Sequence, residues 1–387
     1  MKQNQKKPPK LWITCLFLCM VICFDVIAIF TPDRKFSETE NRMLAAFPSF
    51  SAQGLSDGST GENVEKYLSD QFAFRDVWAG ISFFTRSKLM GQNEMNGVYL
   101  GKDDYLMLVP SEPQPDSVQQ KADAINAVTE KYGNINHCIA VIPNAVTVMT
   151  SKLPDYAPDA NQTKQLTALS KKLKGISFCD VTKAMRSKRY EALFYHTDHH
   201  WTSLGAYTAF RSIAPSLGID PDSVEFDVYT VSDSFQGTLA SKSGSHGYYD
   251  TMEIYVPKGD HPLSVKYSDG DEAKGTLYQK EFLDTKDKYA LFLGGNHPTV
   301  TVTTTADTNR TLMLIKDSYA NCFVQFLTPY FDQIIIIDPR YCYDTVDMVL
   351  NEYEVTDLLY LYNADTFMSD TSLADFLTFS SPQENEE

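Results

Sequence analysis

Residues 194–207 read FYHTDHHWTSLGAY and hold three of the seven histidines in the chain. Asp198 and His200 stand two apart, and in an extended segment such residues point the same way. A carboxylate so placed orients an imidazole and stabilises its protonated form, which a general base needs. His196, Asp198 and His200 also alternate, so they form a candidate metal set with His246 as a distant further ligand. In a third reading Asp198 caps the next helix and the histidines pack or meet solvent. The segment by itself leaves all three open.

The second segment that could carry chemistry is 311–327, TLMLIKDSYANCFVQFL. It reads as an apolar strand, a sharp polar turn and an amphipathic helix. Ser318 then stands at a strand's C-terminal end and a helix's N-terminus, where open α/β sheets place reactive groups. Backbone N–H groups and the helix dipole there stabilise an oxyanion. A serine at such a turn is also a common N-cap. No nucleotide loop is present: GKDDY (101–105) is not a Walker sequence, and GxGxxG does not occur.

Elements must hold these two segments. Thr202 or Ser203 is placed to cap a helix whose face is Leu204, Ala206, Tyr207 and Phe210. Helical spacing also links Val118, Ala122, Ile125, Val128 and Tyr132, and again Leu166, Leu169 and Leu173 before Gly175. Short apolar runs at 137–143, 176–181, 311–315, 333–338 and 358–363 read as buried strands. Strands alternating with helices predict an α/β fold with a mostly parallel sheet covered on both faces. Residues 219–305 differ, with short alternating pieces that predict an antiparallel insertion or lid. Residues 62–90 read as helical, and 97–110 as a hairpin around Lys102-Asp103-Asp104.

The N-terminus predicts a membrane address. Residues 1–10 carry four lysines and no acid, and LWITCLFLCMVICFDVIAIF (11–30) follows with Asp25 as its one charge. Twenty apolar residues span a hydrocarbon core. The basic flank predicts an uncleaved single-pass signal anchor, with the N-terminus inside and the rest of the chain outside the cell. Residues 31–95 then supply an extracellular tether (31–60) and lead helices, and 96–380 the main domain. Cys138, Cys179, Cys322 and Cys342 lie beyond the anchor without paired spacing, which suits a Gram-positive type of bacterial surface better than a disulfide-rich one. The formal net charge is −16. No dense basic stripe follows residue 10, so nucleic acid is not an expected partner.

The tetrad Asp198-His199-His200-Trp201, followed by Thr202 and Gly205, resembles the signature of the DHHW family. That family is similar to the alginate O-acetylation proteins AlgJ and AlgX, which have an SGNH-hydrolase-like domain. ETENRML (38–44), DQFAFRD (70–76), VYLGKDDYL (98–106), FLGGNHP (292–298) and IKDSYAN (315–321) extend the resemblance over nearly all the chain beyond the anchor. The resemblance implies Ser318 as nucleophile, His200 as general base, Asp198 as its orienter and His199 as a structural neighbour. It places Trp201 at the floor of the site. Gly294, Gly295 and Asn296 become candidate oxyanion or substrate contacts, although a strand ending in a tight turn explains them equally. Asn144 and Tyr319 are further candidate contacts, with a turn role as the alternative for Asn144. Lys316 replaces the glycine of the SGNH sequence GDS, so the turn before Ser318 is expected to differ.

The function implied is a surface-anchored serine O-acetyltransferase or acetylesterase acting on an exopolysaccharide or cell-wall glycan, without a cofactor. An acetyl donor outside the cell implies a membrane-bound O-acyltransferase partner. Two other classes compete: a non-catalytic glycan-binding or scaffold component, and a metal-dependent hydrolase built on His196, Asp198 and His200.

Overall fold

The computed structural model describes residues 11–37, 39, 42–158, 161–270 and 272–379. They fall into two units, Met1–Gly91 and Gln92–Glu387. The expected cytoplasmic tail, 1–10, and residue 380 at the expected domain end lie outside the described residues.

In the first unit the expected anchor segment is a helix, α1 (Leu11–Phe30). Side chains at 11, 25, 28 and 29 lie outside the description, and among the described residues no helix is long and apolar enough to cross a membrane. Residues 31–60 are not a bare tether. They form β1 (Phe36–Ser37) and β2 (Arg42–Met43), an antiparallel pair, and then α2 (Ala52–Ser56), capped by Ser51. The helical stretch expected over 62–90 is broken into α3 (Ser59–Asp70) and α4 (Arg75–Phe84), with a π turn at Thr85–Leu89. The break is at Phe74, whose φ of 58° is left-handed and ends helical propagation. Two of the motifs quoted above meet here. Arg42 donates to both carboxylate oxygens of the buried Asp70, and the Ala45 N–H donates to the same group at 2.8 Å.

The second unit opens with a meander of β3 (Glu94–Met95), β4 (Val98–Leu100) and β5 (Leu106–Leu108). Its β4–β5 turn falls at Asp103 and Asp104, both left-handed. The chain continues through α5 (Pro115–Lys131), β6 (Asn136–Ile142), α6 (Ala145–Val148), α7 (Gln162–Ser170), β7 (Ser177–Phe178), α8 (Thr182–Ser187) and α9 (Ser203–Ile213). Next come β8 (Phe226–Phe235), α10 (Thr238–Ser243), β9 (Asp250–Pro257), β10 (Leu263–Tyr267) and β11 (Thr299–Thr304). The last part is β12 (Thr311–Lys316), β13 (Gln333–Ile337), α11 (Val346–Glu352), β14 (Asp357–Asn363), α12 (Ala364–Ser369) and α13 (Ser372–Phe376).

The central sheet has the order β10-β11-β13-β12-β14-β6-β7. From β13 to β7 every pairing is parallel. Side chains alternate between two cores, as the period of a strand requires. Leu312, Leu314, Leu359, Leu361, Ala140 and Ile142 face one core with α9. Met313, Ile315, Leu358, Tyr360, Ile139 and Val141 face the other with α5, α7, α11, α12 and α13. Burial on both faces is why these strands read as unbroken apolar runs.

The expected insertion at 219–305 needs correction. Only β8 and β9 form a separate antiparallel ribbon. Strands β10 and β11 instead extend the central sheet, antiparallel to each other and to β13. Val300 and Val302 of β11 are buried while its threonines are more exposed, so the strand covers the all-isoleucine edge of β13 that would otherwise template aggregation.

Candidate active site

The loop 194–202 is tied down before it presents any chemistry. Phe194 pairs with Trp201 across its neck, and the Tyr195 N–H donates to the His200 carbonyl at 3.2 Å. Asp250, at the start of β9, accepts from the N–H of His196 and of Thr197, both at 2.8 Å, and from the Thr197 hydroxyl at 2.6 Å. His196 turns away from Asp198. Its Nδ1 lies 3.0 Å from Asp250, and its ring stacks between Tyr105 and Tyr248. The alternating metal set His196–Asp198–His200 is therefore not assembled, because Asp250 and the two tyrosines claim His196.

Asp198 does not cap α9. Thr202 does, accepting from the Gly205 N–H at 3.1 Å. Asp198 is left free to face His200, with Oδ1 at 2.6 Å from Nδ1 and at 2.9 Å from the His200 N–H. Its Oδ2 accepts from the N–H and the hydroxyl of Thr238, at 2.7 and 2.9 Å. Burial works against the charge, but His199, His200 and these hydrogen bonds together hold the carboxyl well below its usual range. An ionised carboxylate only accepts, so His200 Nδ1 carries the proton and Nε2 is the acceptor.

The acceptor meets Ser318. Oγ lies 2.8 Å from His200 Nε2, and the hydroxyl donates. Ser318 follows β12 where the sequence places it, but the element it opens differs from the expected amphipathic helix. Residues 318–322 and 324–326 form two short 3₁₀ turns, buried apart from the partly exposed Ser318. Polar residues spaced like an exposed face turn to internal partners: Gln325 accepts the Tyr255 N–H at 2.7 Å, and Asn321 donates from Nδ2 to the Gly295 carbonyl. The N-cap is Asp317, which accepts from the Tyr319 N–H at 3.0 Å and from Asn363. Ser318 thus has no capping duty, and its own N–H, first in the turn, has no partner within the turn.

His200 is held from the side as well. The Tyr289 ring stacks on it at 3.8 Å and 13°, and the Tyr289 hydroxyl donates to the Ser318 carbonyl at 3.3 Å. His199 is partly exposed, with Nδ1 at 2.9 Å from the Thr238 hydroxyl. Burial, followed by the neighbouring charge of His200, lowers its pKa to about 4. Asp198, His199 and His200 are the group among the described residues whose ligand atoms lie within 4.8 Å of one another. The 2.6 Å contact between Asp198 and His200, with Nε2 taken by Ser318, is a hydrogen-bonded line rather than an open ligand set.

The remaining residues named from the sequence divide by exposure. Trp201 is fully buried and donates from Nε1 to the Tyr319 carbonyl at 2.9 Å. Tyr319 is fully buried too, and its hydroxyl donates to the His199 carbonyl at 2.6 Å. Both side chains form the floor behind Ser318 and neither is open to a substrate. Asn144 is buried, accepting from Gln162 at 2.7 Å and from the Asp365 N–H at 3.2 Å, so its amide is used in packing. Gly294 and Gly295 are left-handed at φ 73° and 100°, and they carry the chain around a tight turn to the exposed Asn296. Asn321, in the Ser318 turn, donates to the Gly295 carbonyl at 3.1 Å and so ties the two turns together. Gly237, Thr238, Asp250 and Tyr289 escaped the sequence reading. The one available signal was Gly237-Thr238 at the start of α10.

A mostly parallel sheet with a serine at the end of its central strand, faced by an Asp–His pair from a separate loop, places the chain in the α/β class with a candidate site at a strand end. The chain belongs to the DHHW family: the family's profile, described as DHHW protein, matches residues 116–337, more than half the chain. A DHHW family protein from Eubacterium siraeum superposes with a TM-score of 0.62 at 20% identity, covering 74% of this chain and 97% of that one. Bacillus cereus PatB1, solved with a sulfonyl adduct, superposes at 0.60 with 18% identity, covering 73% and 98%. The O-acetyltransferase domain of Pseudomonas putida AlgJ gives 0.45 at 15% identity, covering 74% and 96%. No curated protein sequence matches.

Proposed function

We propose that this protein is a serine acyl-transfer enzyme, an O-acetyltransferase or acetylesterase of a surface glycan, held at the membrane by residues 11–30. The observation that carries the reading is Ser318 Oγ at 2.8 Å from His200 Nε2, with Asp198 at 2.6 Å behind Nδ1. Ser318 attacks the carbonyl carbon of an acyl ester while Nε2 takes its proton. The carbonyl oxygen becomes an oxyanion, for which the Ser318 N–H and the Asn296 amide are candidate donors. Collapse expels the donor's alkoxide, which takes the proton back from Nε2 and leaves acyl-Ser318. A glycan hydroxyl or water then gives its proton to Nε2 and attacks the acyl carbon; collapse breaks the bond to Ser318 Oγ, which takes that proton back from Nε2.

The sulfonyl adduct of PatB1 supports looking for the same reactivity here, since a sulfonyl electrophile captures an activated nucleophile. Acetyl as the group and glycan as the acceptor rest on the family resemblance. So does a membrane-bound O-acyltransferase that supplies the donor. A serine held apart from the histidine would favour the non-catalytic glycan-binding reading, whereas Ser318 lies 2.8 Å from His200 Nε2.

The test is turnover of p-nitrophenyl acetate by the purified chain, with Ser318→Ala, His200→Ala and a chelator as arms. Loss in both variants and indifference to chelator supports the reading. Inhibition by chelator transfers the chemistry to a metal on Asp198, His199 and His200.

A further inference from the structure

Lys316, the residue standing where SGNH enzymes carry glycine, is 2% exposed at its side chain. An ammonium taken out of water is costly unless it is paired and fully hydrogen-bonded, so its partners are informative. Nζ lies 3.0 Å from Asp338 Oδ2 and donates to Asn296 Oδ1 at 3.1 Å. Asp338 is fixed in turn by Arg340, which donates from Nε at 2.8 Å and from Nη2 at 2.6 Å. The ammonium is therefore clamped from the far side, and its free direction ends on one amide oxygen.

That oxygen takes a second donor. Asn321 Nδ2 reaches Asn296 Oδ1 at 3.2 Å, from the same 3₁₀ turn that begins with Ser318. Residues three apart in such a turn lie on one side, so Asn321 joins Asn296 to the turn that Ser318 opens. A primary amide has one oxygen and one NH₂. With two donors on its oxygen, the Asn296 amide cannot flip without losing both, and its NH₂ is left as the end that points away from Lys316. Asn296 is exposed on a left-handed turn and would otherwise rotate freely.

We infer that Lys316, locked by Asp338 and Arg340, is a positioning residue that aims the Asn296 N–H at the oxyanion formed when Ser318 attacks. The inference rests on the acyl-transfer reading. It accounts for a lysine at this position: glycine would leave Asn296 Oδ1 without its charged donor.

The experiment is a double-mutant cycle on the full chain with p-nitrophenyl acetate, pairing Lys316→Met with Asn296→Ala. Removing an oxyanion donor costs about a hundredfold in kcat, and misaiming it is expected to cost about tenfold with KM unchanged. The expected result is that Lys316→Met lowers kcat alone and costs nothing further once Asn296 is alanine. Wild-type kcat in Lys316→Met, or an undiminished loss in the Asn296→Ala background, overturns the inference. If Lys316→Met does not melt cooperatively, Asp338→Asn, which unclamps the ammonium at constant volume, replaces it in the cycle. The same loss of kcat, absent once Asn296 is alanine, is then expected, and wild-type kcat or an undiminished loss again overturns the inference. Failure of the underlying reading looks different: the wild type itself shows neither turnover nor modification of Ser318 by phenylmethanesulfonyl fluoride, and the inference falls with it.

Discussion

Gly237 lies so close against Asp198 that a Cβ at its position would stand 2.3 Å from Oδ2. Its φ of −88° suits any residue, so the absence of a side chain is required by this contact and not by backbone conformation. Gly237→Ala is expected to push the carboxylate off His200. Turnover of p-nitrophenyl acetate should fall by roughly a hundredfold or more while the circular dichroism spectrum is unchanged, since misplacing the orienting carboxylate impairs the base. Near-normal turnover would mean that Asp198 is dispensable.

His199 should matter for stability in acid more than for catalysis. Its pKa is lowered from about 6.5 to about 4, first by burial and then by His200. The unfolded chain therefore binds this proton at a higher pH than the folded one. The stabilisation is fully present above about pH 6.5 and is lost as pH falls towards about 4. The melting temperature of the wild type should drop across that window, and His199→Gln should drop less. The variant should also keep turnover within about threefold at pH 8.

The pair Arg42–Asp70 makes a prediction for the first unit. The Arg42 hydrogen bond, aided by Ala45 and Arg75, holds the Asp70 pKa at about 2. Its contribution is present above the unfolded carboxyl value near 4 and disappears as pH falls through about 2. Arg42→Ala leaves a buried carboxylate with fewer donors and is expected to cost about 2 kcal/mol. Faster limited proteolysis of residues 31–91 at pH 7, with turnover of the rest intact, would register the loss.

The proposed anchor can be read from tryptophan. The chain has three, at positions 12, 78 and 201. In a Trp78→Phe chain reconstituted into vesicles with brominated acyl chains, Trp12 should be quenched while the fully buried Trp201 is not. An unquenched Trp12 would remove the membrane from the proposal.

Strands whose two faces are both buried announce themselves as runs such as QIIIID and LLYLYN, and these lie where the sequence puts them. The proposed nucleophile, base and orienter were legible as candidates, because one loop and one strand end carry all three residue types, and the structure brings them within hydrogen-bond reach of one another. What supports them was not. Thr238, Asp250 and Tyr289 reach the site from a region with no sustained period, and Tyr289 acts through a ring face that no spacing encodes. The 318–326 segment misled because Ser318, Asn321 and Gln325 imitate the polar stripe of a surface helix. Each of them instead faces a partner supplied by distant chain.

The Tyr289 ring lying flat on His200 has a kinetic consequence. An imidazole pinned by a carboxylate at one end and an aromatic plate on its face cannot swing between two stations. Both half-reactions must then exchange their proton at the same nitrogen, from the same side. In the proposed acyl transfer, donor and acceptor would therefore use that nitrogen in turn, which is ping-pong order. The acyl-enzyme of that proposal would be partitioned by whichever hydroxyl meets Nε2 next, so the ratio of transfer to hydrolysis should follow acceptor concentration and be indifferent to the alcohol that delivered the acyl group.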